Sequence, residues 1–309
     1  DSQAFTVASS PVSVAVGSGV SLTLASGLNG SSVNNDDSVQ VTGTVQAPPN
    51  SAVSVNGRLA TITADGQFFA NAVSLAEGAN TITAQLTTPD GETATQTASV
   101  TRTVNGGLPT AGGEATPIDF RVTVSESEGI MIPGDTFPVT ITIESPANKP
   151  FASMTLSCAA PSAGSPVGLG TYGCGYTAPG VYTILVEVRD ATNAVIYSTT
   201  KRIALTTPLA RYHLVRGVYQ DLVDRLKSGD ISSAMKTVTT SADQIYRPIF
   251  TALGSNLAST TAQLGSISSG TVSGESAQLF VMRDGPGGKE GYFIHLMRDA
   301  SGIWRIDSM

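Results

Sequence analysis

The chain has 309 residues, of which 40% are hydrophobic and only 13% charged, and it carries a formal net charge of −7 at pH 7. That length suits two to four domains, and the hydrophobic content excludes wholesale disorder. The acidic balance, with no run of Lys or Arg, argues against nucleic acid or anionic lipid as a partner, and no apolar stretch approaches the length of a membrane span.

The first segment, residues 1–35, predicts a short β region followed by a polar linker. Phe5-Thr6-Val7, Val12-Ser13-Val14-Ala15-Val16 and Val20-Ser21-Leu22-Thr23-Leu24 alternate apolar and small polar residues, so each run needs one face covered. They are too few to form a stable sandwich alone. Two outcomes stay open: they complete the sheet of the next module, or they add to a sheet edge of a neighbouring copy. In the second, Phe5, Val7, Val12, Val14 and Val16 form the added strands, and head-to-tail addition propagates a filament. A chain beginning at Asp1 is expected of an exported bacterial protein whose leader has been cleaved, in the periplasm, on the cell surface or secreted.

Residues 36–105 alternate in about seven short runs separated by turn residues. Asn56-Gly57 and Asp65-Gly66 are strong hairpin signals, because a type I′ turn needs positive φ at both central positions. Val39-Gln40-Val41-Thr42-Gly43-Thr44-Val45, Val53-Ser54-Val55-Asn56-Gly57, Asp65-Gly66-Gln67-Phe68 and Leu75-Ala76-Glu77-Gly78-Ala79-Asn80-Thr81-Ile82 together resemble the bacterial Ig-like module called glucodextranase domain B. That resemblance implies a β-sandwich spacer and names no ligand.

Residues 106–117, rich in Gly, Pro, Thr and Ala, form a linker by composition. The module at 118–207 alternates again and holds the two cysteines, Cys158 and Cys174, which are expected to pair in an exported chain. Closing a loop of about 15 residues stabilises by roughly 3 kcal/mol. Tyr176-Thr177-Ala178-Pro179-Gly180-Val181-Tyr182, leading into an alternating strand that ends at Asp190, resembles the late strands of the polycystic-kidney-disease-type Ig-like domain. No Trp lies between the cysteines, so the antibody-type core pin is missing.

From residue 208 the period changes. Leu214, Val215, Val218, Leu222 and Leu226 recur at three- and four-residue steps and predict an amphipathic helix. Gly229-Asp230 ends it, 231–236 can form a second, and Ser241 is the expected N-cap of a third that carries Ile245, Ile249, Phe250 and Leu253, with Pro248 inside. Strands are predicted at 265–273, 276–284, 290–299 and 302–308. Helices followed by an antiparallel sheet, with Val215-Arg216-Gly217-Val218-Tyr219 in the first helix and Arg298-Asp299-Ala300-Ser301-Gly302-Ile303-Trp304-Arg305-Ile306 at the end, resemble the nuclear-transport-factor-two-like fold. The expected architecture is therefore multidomain and mainly β: two Ig-like β-sandwiches in series plus a C-terminal α+β cone, residues 208–309.

Some relatives of that last fold are isomerases, dehydratases or cyclases that move a proton inside the cone. If the strand face bearing Phe293, His295 and Met297 lines the interior, His295 with Tyr246, Tyr292 or Asp221 forms a proton-transfer set and ligand pocket. The competing reading is a solvated histidine in a catalytically silent domain, and Trp304 is read as core packing. Tyr172, Tyr176 and Tyr182 suggest either a sugar-stacking surface or strand packing. Asp36, Asp37, Asp65, Asp90, Asp135 and Asp190 stand at module edges, where calcium ligands and ordinary turn residues both occur. No nucleophile-elbow, zinc-protease, phosphate-loop or dinucleotide motif is present. The reading that best fits is a non-enzymatic surface or assembly protein acting through protein contacts, without a cofactor. A carbohydrate-associated module and a small-molecule-binding C-terminal domain are the alternatives.

Overall fold

The computed structural model describes residues 19–34, 36–103, 118–159 and 168–309. The expected added-strand residues Phe5, Val7, Val12, Val14 and Val16 lie outside the described residues.

The first module contains β1 (Ser21–Leu24), β2 (Ser31–Asn34), β3 (Ser38–Gln46), β4 (Ala52–Val55), β5 (Arg58–Ile62), β6 (Gln67–Ser74), β7 (Gly78–Thr87) and β8 (Thr93–Thr103). Their order is β1-β3-β6-β5-β4-β7-β8-β2. β5 pairs with β4 through residues 58–60 and with β6 through residues 61–62, so it crosses from one layer to the other. The layers close over Val41, Phe68 and Val73 from one side and Val53, Ile82 and Leu86 from the other. β1 pairs with β3, and β2 runs parallel to β8. The module therefore begins at β1 rather than after residue 35, because these two strands cover edges of its own sheets. Asn56 (φ 47°) and Gly57 (φ 80°) make the expected hairpin. Gly43 is required because a Cβ there would overlap the Thr23 carbonyl and the Phe68 ring.

The second module contains β9 (Arg121–Val124), β10 (Glu128–Ile130), β11 (Phe137–Glu144), β12 (Ser153–Ser157), β13 (Gly170–Tyr176), β14 (Gly180–Arg189) and β15 (Val195–Thr206). They form a four-stranded sheet, β10-β15-β14-β12, and a three-stranded sheet, β13-β11-β9. Alternation places Val139, Ile141 and Ile143 of β11 and Ile184, Val186 and Val188 of β14 in one core. Cys158 follows β12 and Cys174 lies in β13, so their disulfide ties one sheet to the other; both are 1% exposed.

Only Thr207 separates β15 from α1 (Pro208–Lys227), and its side chain caps the helix by accepting from the Ala210 amide. α2 (Ile231–Ala234), α3 (Thr240–Leu253) and α4 (Leu257–Thr261) follow, then β16 (Ser266–Ser273), β17 (Ser276–Gly285), β18 (Gly288–Arg298) and β19 (Trp304–Ser308) in one antiparallel sheet. Val215, Val218, Leu222 and Leu226 pack on Leu279, Val281, Ile294 and Ile306, and Trp304 is in that core.

Two expectations for α3 are corrected. Its cap is Thr239, whose hydroxyl accepts from the Ala242 amide, not Ser241. Its covered stripe is Ala242, Tyr246, Phe250 and Leu253, whereas Ile245 and Ile249 are 59% and 52% exposed. Adjacent helix positions are turned about 100° from each other, so a stripe displaced by one residue faces a different neighbour.

Candidate functional site

The most developed polar arrangement lies where the three modules meet, and turn residues and strand irregularities build most of it. β6 carries an extra residue opposite β3, with a register shift at Val39/Val41 and Ala72 at φ 53°. A bulge of this kind re-aims a side chain. Here it turns Asn71, 2% exposed, onto the backbone of Arg202 in β15. Asn71 Oδ1 accepts from Arg202 N at 3.0 Å and its Nδ2 donates to Arg202 O at 2.6 Å and to Ser127 Oγ at 3.2 Å. Beside it, Tyr197 donates to Asp36 at 3.0 Å, and Arg121 pairs with Asp37 at 2.7 Å. Burial, and then Asp36, push the Tyr197 phenol up. Lys201 lies on the inward face of β15 at 3% exposure, where burial lowers its ammonium pKa against the pull of Asp36 and Asp37.

The first and third modules meet at the turn before β4. Asn50, at φ 65°, donates to Trp304 O at 2.9 Å and accepts from Trp304 N at 2.8 Å. Gly302 sits so close that a Cβ would stand 3.0 Å from the Ala52 methyl. At the other end of this contact Arg225 grips both oxygens of Asp90, at 2.6 and 3.1 Å, and Lys236 donates to the Asp90 carbonyl at 3.0 Å. The hydrogen bond from Arg225 holds the Asp90 carboxyl below the usual range.

Glu128 of β10 joins the second module to the third. One oxygen accepts from Arg298 at 2.7 Å and the other pairs with Arg211 of α1 at 3.0 Å. Burial raises its carboxyl pKa, and the charges of Arg211 and Arg298 more than offset that, leaving it lowered. These contacts frame a cleft of about 590 Å³ whose lining comes from all three modules.

The expected proton-transfer set is not assembled. β18 alternates, so Tyr292 and Ile294 face the helices while Phe293, His295 and Met297 face outward, and His295 is exposed. Tyr292 donates to the Leu264 carbonyl and lies 3.3 Å from the Tyr219 hydroxyl. The Tyr246 hydroxyl is tied to the Met309 backbone at 3.0 and 2.8 Å, and Asp221 pairs with Arg225 at 2.8 Å. His295 borders a separate outer hollow of about 330 Å³ with Gln278, Met297 and Asp307.

Nor do the tyrosines form a flat platform. Tyr176 is fully buried, with its phenol pushed up to about 12 by burial, and its ring lies 4.3 Å from that of Tyr182. Tyr172 and Tyr182 each donate to a carbonyl four residues upstream, Gly168 at 2.9 Å and Ala178 at 2.7 Å, which is strand-corner geometry. Of the edge aspartates, Asp36, Asp37 and Asp90 make the inter-module contacts. Asp65 and Asp190 organise their own turns through Thr63 and Thr192, and Asp135 donates its amide to the Ile132 carbonyl. Among the described residues no group of three or more His, Cys, Asp or Glu side chains could hold a metal ion.

A family model for glucodextranase domain B matches residues 21–106. That span holds all eight strands of the first module. No curated protein matches the chain. Solved structures overlap it loosely. The fibronectin(III)-like modules of Clostridium thermocellum CbhA share 15% identity over 60% of this chain and 95% of that one, with a TM-score of 0.21. A putative membrane anchored protein from Corynebacterium diphtheriae shares 15% over 61% and 54%, with a TM-score of 0.25. The Ig1-2 module of the Drosophila receptor tyrosine phosphatase DLAR shares 9% over 60% and 99%, with a TM-score of 0.24. At these scores no inference about function passes from them to this chain. Among the described residues no helix is long and apolar enough to cross a membrane.

Proposed function

We propose that this is an exported, non-enzymatic modular protein of a bacterial surface or extracellular assembly, working through protein contacts. Its second module is a polycystic-kidney-disease-type relative, and its third is a nuclear-transport-factor-two-like cone that carries no catalytic site and needs no cofactor. The observation that carries the reading is the polar locking of the three modules to one another, by Asn71 on Arg202, Asn50 on Trp304 and Glu128 on Arg211 and Arg298. Locked modules suit a scaffold that holds contact surfaces at fixed angles, whereas inter-domain motion is the ordinary expectation for modules in series. The Cys158–Cys174 disulfide supports an oxidising compartment.

The self-association reading is confined to residues 1–18, since β1 already pairs within its own module. Removing residues 1–18 tests it, with light scattering and electron microscopy of the full and shortened chains. The full chain is expected to assemble and the shortened one to remain a folded monomer. A full chain that stays monomeric at every concentration overturns the self-association.

A further inference from the structure

We infer that the cleft where the three modules meet binds a carboxylate. Its walls come from the strand ends of the first module, from Glu128 and Thr206 of the second, and from Arg211, Arg298 and Trp304 of the third. Glu128, Arg211 and Arg298 are the charged residues among those that line it. Two cations and one anion leave a surplus positive charge in a protein whose net charge is −7. A second acid, Glu275, also pairs with Arg298, at 3.5 Å from a side chain 65% exposed, so it offsets that charge only weakly.

Both guanidiniums are held in place before any ligand arrives. Arg211 and Arg298 are 16% and 13% exposed, Glu128 anchors each of them, and Arg298 Nε also donates to the Gly302 carbonyl at 2.9 Å. A guanidinium carries five N–H donors, so Glu128, Glu275 and Gly302 still leave the Nη2 donors of Arg298, and Glu128 leaves most of those of Arg211, for an incoming anion. The first turn of α1 reaches the cleft through Ala210 and Arg211 and contains no acidic residue, so the positive end of the helix reinforces the same field. The other lining side chains from the first module are short and uncharged, among them Pro48, Ala60, Thr61, Ile62 and Thr63. The volume fits a ligand of disaccharide or tripeptide size with one carboxylate and a body of hydroxyls or short apolar groups. Two sources supply that chemistry: an acidic sugar of a glycan, and the free C-terminus of a peptide.

The chain has one tryptophan, Trp304, and it lines the cleft, so its fluorescence is a single-residue reporter beside this site. The folded full chain is titrated with a diglucuronate and with an alanine-rich tripeptide, each beside its neutral counterpart, a diglucoside and the amidated tripeptide. A saturable Trp304 response to one acid and not to its counterpart supports the site and identifies the source. A response to both acids means that the carboxylate dominates recognition. The affinity should fall as salt is added. Arg298→Gln is expected to weaken binding by about tenfold through loss of a charged hydrogen bond. Because that variant also removes a structural contact, Ala64→Glu provides a second arm. Ala64 is exposed at the cleft wall and belongs to the turn before β6, so a carboxylate there leaves the contacts of Glu128 in place and should repel the ligand, weakening binding by a similar factor. No Trp304 response to either acid, an equal response to the neutral partners, or undiminished binding by Ala64→Glu overturns the assignment.

Discussion

The interior of the second module and the junction of the three modules are held by opposite means. Inside the module, alternating Val and Ile side chains fill the space between two sheets and a disulfide closes a separation of 16 residues. At the junction the contacts are polar and join residues 131 (Asn71–Arg202), 170 (Glu128–Arg298) and 254 (Asn50–Trp304) positions apart. Apolar burial is non-directional and tolerates exchange of one aliphatic residue for another, whereas a buried amide or carboxylate needs one partner in one geometry. Small losses in the second kind of contact therefore change how modules are arranged before they unfold any of them.

The largest effect is expected inside the module. Replacing both Cys158 and Cys174 by Ala should cost about 3 kcal/mol, measured by denaturant unfolding under oxidising conditions. A loss near zero would show that the apolar core suffices without the staple.

Glu128→Gln tests the junction and should cost about 2 kcal/mol, because two half-buried guanidiniums lose a charged partner. Its signature is calorimetric, with one cooperative transition separating into at least two as the second and third modules unfold independently. The pH dependence has a definite sign. The folded carboxyl is lowered, so its stabilisation is fully present above the ordinary Glu pKa and is lost as pH falls through the lowered value. Acid should therefore split the transition of the parent chain, while the Gln variant stays split at all pH values. A single, unshifted transition for Glu128→Gln would remove the clamp from the account.

Asn71→Ala removes a pair of hydrogen bonds to Arg202 and leaves that backbone amide without them, at about 1–2 kcal/mol. Small-angle scattering should then record a wider spread between the first and second modules, and unchanged scattering together with unchanged stability would argue for independent docking. The smallest effect concerns the bulge that presents Asn71. Ala72 sits at positive φ, where glycine is unstrained, so Ala72→Gly should stabilise by about 0.5 kcal/mol and leave scattering unaltered. Destabilisation by this change would mean that the Ala72 methyl contributes packing of its own.

What the amino-acid sequence determines by itself is everything set by period and local turn chemistry. Two-residue alternation in β11 and β14 yields a sandwich core, Asn56-Gly57 yields its hairpin, and Leu214 to Leu226 yield a helix, because each depends on neighbours a few residues away. The face bearing His295 was legible as Phe293, His295 and Met297 together, but which side of the sheet met the helices was not. That side is set by Ile294 and Leu296 packing on residues of α1, so His295 turned outward and away from Tyr292. Asn50, Asn71, Asp90 and Glu128 look like turn and edge residues because the types that favour turns are also those that bond to backbone. Their roles depend on partners more than eighty positions away in the chain, and only the packing of one module on another brings these within hydrogen-bonding reach.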